Sequence, residues 1–66
     1  MSGVAVVSDY QDLRTRRTLE IVEHDYMPDE VTLRITGPHG GIHAVVTLSR
    51  EAAANLGTEL RERYGT

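Results

Sequence analysis

Residues 30–48 read EVTLRITGPHGGIHAVVTL, and this stretch decides the fold. Val31, Leu33 and Ile35 alternate with Thr32, Arg34 and Thr36. A period of two places the apolar side chains on one face of a strand. Gly37, Pro38, His39, Gly40 and Gly41 follow, supplying the positive φ values and the fixed bend of a tight connection. Alternation then resumes, with Ile42, Ala44, Val46 and Leu48 on one face and His43, Val45 and Thr47 on the other. Two alternating runs around a glycine-rich loop predict an antiparallel hairpin.

Downstream, the spacing predicts a helix. Ser49 is an N-cap whose hydroxyl accepts from an orphan N–H of the first turn. Glu51 follows where the helix dipole favours a negative charge, and Arg61 and Arg63 lie in the last turn. Ala53, Leu56, Leu60 and Tyr64 recur at spacings of three and four, forming one apolar stripe. Gly65 stands at the position where glycine commonly ends a helix. Gly57 costs roughly 1 kcal/mol relative to Ala in a helix interior. Either a close approach to the sheet or a tolerated weak point accounts for it.

Upstream, Arg17 to His24 reads RTLEIVEH and predicts a third strand, although Val22 puts an apolar group on the face opposite Leu19 and Ile21. Asp25 to Asp29 connect it to the hairpin, because Pro28 holds Met27 in extended geometry. Val4 to Val7 read as a fourth strand or as an arm that orders only against a partner. The whole chain, 1–66, is therefore expected to be one small α+β domain. Its architecture is an antiparallel sheet of three or four strands with one C-terminal helix packed on one face, in the order (β)βββα. Residues 1–16 are an arm or an edge strand. The helix spans about 24 Å, enough to cover three strands.

Composition narrows the functions. The chain has 66 residues, 7 Arg and no Lys, 10 acidic residues and a net charge of -3, so it is a small acidic protein. It has no Cys, which excludes disulfides and thiolate metal sites. It also lacks Phe and Trp, so its core is thin and self-association is expected. The opening MSGVAVVSDY has no basic region, and no stretch approaches the roughly 20 apolar residues of a membrane span. A cytoplasmic protein without a membrane contact is the expectation.

Candidate chemistry is sparse. His24, His39 and His43 make a three-imidazole metal site only if the sheet order brings them together, and ordinary solvent-facing or hydrogen-bonded histidines are the expected outcome. Neither metal nor cofactor is expected. The glycine-rich loop lacks the spacing, Lys and Ser/Thr of a phosphate-binding loop and reads as a hairpin turn. Asp25, Asp29 and Glu30 cluster with Tyr26, yet a chain this short offers little wall for a cleft. With neither Cys nor Lys as nucleophile, no catalysis is expected.

Two binding readings remain. Arg14, Arg16 and Arg17 form a basic arm that reaches phosphates, extended by Arg34, His43 and Thr47 on the exposed strand face. Net negative charge opposes this nucleic-acid reading. His43 to Tyr64 is similar to the start of a ribbon-helix-helix repressor, but that fold's second helix is missing. The β–β–β–α ending resembles a double-stranded-RNA-binding domain, but its leading helix and basic final helix are missing too. Neither resemblance is carried over. The preferred reading is a non-catalytic protein-binding or regulatory module acting as a homodimer. Tyr10 and Tyr26 are contact groups of the amphipathic kind enriched at interfaces.

Overall fold

The computed structural model describes residues 3–65. Its four strands are β1 (Val4–Asp12), β2 (Arg17–His24), β3 (Glu30–Thr36) and β4 (Ile42–Ser49), followed by helix α1 (Arg50–Tyr64). The strands form one antiparallel meander in the order β1-β2-β3-β4. The chain is thus α+β with a four-stranded sheet and one C-terminal helix. Of the stretch expected as an arm or an edge strand, residues 4–12 are the edge strand β1, and residues 1 and 2 lie outside the described residues.

Each turn has a local cause. The Gly37–Gly41 loop closes through Gly37 N–H to the Gly41 carbonyl at 2.8 Å, and Gly40 takes a φ of 82° that favours glycine. Between β2 and β3, the Met27 N–H donates to the His24 carbonyl and the Glu30 N–H to the Met27 carbonyl. Between β1 and β2, the Asp12 carboxylate accepts from the Arg14 and Thr15 N–H groups, which places Arg16 at a φ of 59°. Left-handed backbone costs a non-glycine residue about 1–2 kcal/mol. Arg16→Gly is therefore expected to stabilise the chain by about 1 kcal/mol in urea unfolding.

The register fixes two faces. Val31, Leu33 and Ile35 lie beside Glu23, Ile21 and Leu19 on β2 and beside Leu48, Val46 and Ala44 on β4. Thr32, Arg34 and Thr36 share the other face with Val22, Glu20 and Thr18. The apolar face was expected to hold the core. Instead the buried hydrophobic residues are Val22, 3% exposed and on the polar face, and Val31, at 7%. Leu19, Ile21, Leu33 and Ile35 are only half-buried.

The helix starts as its sequence predicts: the Ser49 hydroxyl accepts from Ala52 N–H at 3.0 Å. Arg50 fastens this end to the β2–β3 turn, through its N–H to the Asp29 carbonyl, its Nε to the Pro28 carbonyl and a 3.6 Å ion pair with Glu23. Gly65 donates its N–H to the Arg61 carbonyl but stays extended at φ -76°, so it makes no use of glycine's left-handed freedom. The roof over the sheet is narrower than expected. Apart from the Arg50–Glu23 pair at its start, helix α1 approaches only β3 and β4, and none of its residues is buried. A Cβ at Gly57 would meet open space, so this glycine is a weak point rather than a close approach. Gly57→Ala is expected to raise stability by about 1 kcal/mol, a rise of roughly 4–8 °C in the midpoint for a domain of this size.

Candidate functional site

The sequence-predicted site residues fall into three groups. Tyr10 and Arg17 come together with Asp12, Thr15, Leu19 and Ile35 around a shallow depression of about 390 Å³ at the β1–β2 end of the sheet. Leu19 and Ile35 bring it apolar surface, and Tyr10, 63% exposed, lies beside Leu19 in the register. Arg14 and Arg16 lie in the adjoining loop. They are not a flexible arm, since the Asp12 carboxylate holds that loop. The backbone N–H of Arg14, helped by that of Thr15, keeps the Asp12 carboxyl below its ordinary value.

Arg34 is separate from this group. It sits on the opposite face from Arg17, paired with Glu20 at 2.7 Å. Asp9 is the next residue across in the register, so the neighbourhood of Arg34 is acidic rather than basic. The continuous basic surface expected from Arg14, Arg16, Arg17 and Arg34 does not form. His43 lies against Gly37, where an added Cβ would run into its ring.

Tyr26 and His24 form the third group. Their rings meet edge to face with centroids 5.4 Å apart. His24 Nε2 is 3.0 Å from the Thr32 hydroxyl, which is 3.0 Å from the Thr47 hydroxyl. Thr32 is buried, so the face expected to suit water is closed at this end. His24 Nδ1 is buried with no hydrogen-bond partner. His24 stands beside the β3 residue Thr32, whereas Gly37, against which His43 lies, follows the last β3 residue, Thr36. Four residues of strand span about 13 Å, so the imidazoles are divided between the two ends of the sheet. Among the described residues, no three His, Asp or Glu side chains are placed to hold a metal ion.

The feature that sequence reasoning passed over is the outer side of β4. Ile42 to Thr47 are all exposed, and Ile42–Leu48 holds no charged residue. The signal was present in the sequence as an uncharged run that the hairpin prediction left at a sheet edge. The helix stripe also stands open, with Leu56 40% and Leu60 48% exposed.

Compared with known protein families, curated proteins and solved structures, the chain matches none. No described helix is long and apolar enough to cross a membrane.

Proposed function

We propose that this chain is a small protein-binding or regulatory module that acts as a homodimer and carries out no chemistry of its own. The observation that supports this is surface area. A folded monomer of 7.3 kDa exposes about 4,200 Å² by the usual scaling with mass. This chain exposes 5434 Å². The excess of about 1,200 Å² exceeds the roughly 800 Å² that each partner buries in a standard stable interface. Val45, Val46, Leu56 and Leu60 are among the large hydrophobic residues that stand open.

The split between Arg17 and the paired Arg34 takes support away from a nucleic-acid reading, which depends on many cations facing one way. A titration with duplex and single-stranded oligonucleotides at two salt concentrations is expected to show no salt-sensitive binding. The reading itself is tested by light scattering at micromolar concentration. A mass near twice 7.3 kDa is expected, and a mass of 7.3 kDa overturns it.

A further inference from the structure

We infer that the outer edge of β4 is where a second copy of this chain docks, pairing β4 with β4 antiparallel across a two-fold axis at Val46. This rests on the homodimer reading and adds its geometry.

The strand order leaves two free edges, β1 and β4. Free edges template further pairing unless they are blunted by charge, irregularity or cover. The β1 edge is blunted. It carries a bulge between Val6 and Ser8, and it bears Asp9 and Asp12. The β4 edge has no such defence. Its irregularity lies at the start, where the register shifts opposite Ile35 and Thr36, and Ala44 to Leu48 run regularly. That stretch contains neither charge nor proline.

The stretch is also complementary to itself. An axis at Val46 sets Ala44 opposite Leu48, Val45 opposite Thr47 and Val46 opposite its own copy. Residues opposite each other in an antiparallel pair share a face. Ala44, Val46 and Leu48 belong to the apolar face with Leu33 and Ile35, so this register continues the apolar face from one copy into the next. The net charge of -3 opposes self-association in general, but none of it lies on this segment. An isologous contact of this kind closes after two copies, which removes both exposed β4 edges. Helix α1 leaves the sheet at the end of β4 and, apart from the Arg50–Glu23 pair, approaches only β3 and β4. Its Leu56 and Leu60 are open as well, 40% and 48% exposed.

The chain has no cysteine, so a single introduced thiol reports on one position. Opposed residues of an antiparallel pair have Cα atoms about 4.5–5.5 Å apart, within the disulfide range of about 4.4–6.8 Å. Val46→Cys is expected to convert to a covalent dimer under mild oxidation. Ala5→Cys, on the β1 edge, is expected to stay a single chain on a non-reducing gel. Val46→Lys sets two ammonium groups face to face. It is expected to weaken association by at least about 100-fold while keeping its strand signal in circular dichroism. A dimeric wild type whose Val46→Cys form stays uncrosslinked, or whose Ala5→Cys form crosslinks instead, overturns the β4 assignment and leaves the homodimer standing. So does a Val46→Lys variant that keeps the dimer mass. A monomeric wild type overturns both.

Discussion

Val22→Asp is expected to abolish the cooperative thermal transition of the chain and collapse the dispersion of its amide spectrum. Val22 is 3% exposed and is the most buried hydrophobic residue among the described residues. Replacing it forfeits roughly 1.5–3 kcal/mol of side-chain burial. It also sets a carboxylate out of water, at several kcal/mol more. Arg34, on the same face, is already paired with Glu20. A domain of this length has a total stability of about 3–10 kcal/mol, so the sum is comparable to the whole. Val22→Ala separates burial from charge. It is expected to cost about 1–3 kcal/mol and to leave a folded chain. Val7→Asp, half exposed at the β1 bulge, is expected to shift stability by less than about 0.5 kcal/mol. Circular dichroism melts of the three variants check the order.

That one residue also marks the limit of reading this sequence by pattern. The hairpin of β3 and β4, its five-residue glycine loop and the Ser49 cap were legible, because each depends on neighbours a few positions away. Val22 was visible only as a break in the alternation of Leu19 and Ile21. Its burial arises from Val6 and Thr32 on either side in the sheet, sequence-distant neighbours that no local pattern reports. The second half of β1 was left open between arm and edge strand for a related reason. Asp9 and Asp12 are poor strand formers, yet the Asp12 carboxylate organises the turn that pairs Tyr10 with Leu19. The extension of the basic cluster to Arg34 was not legible because residue type alone does not fix a face. Arg17 and Arg34 are only a strand apart, but they project from opposite sides.

The helix shows how a correct local prediction leaves the larger question open. Its stripe of Ala53, Leu56, Leu60 and Tyr64 was readable, and its start and length agree with the structure. An apolar stripe implies a partner surface without saying which. Within one copy the helix gains only the margin of β3 and β4, and Tyr64 at its end is 75% exposed. The edge of β4 and this stripe are both left open within one chain.

If a second copy covers that edge, folding and association are linked, and stability depends on concentration. Each tenfold dilution withdraws about 1.4 kcal/mol per mole of dimer. For two chains of this size unfolding together, that lowers the midpoint by about 3–6 °C. Thermal unfolding of the wild-type chain at two concentrations a hundredfold apart is the most direct measurement. The account predicts a midpoint roughly 6–12 °C lower in the dilute sample. A midpoint that stays the same across that range would mean that the single chain is the folding unit, and would contradict it.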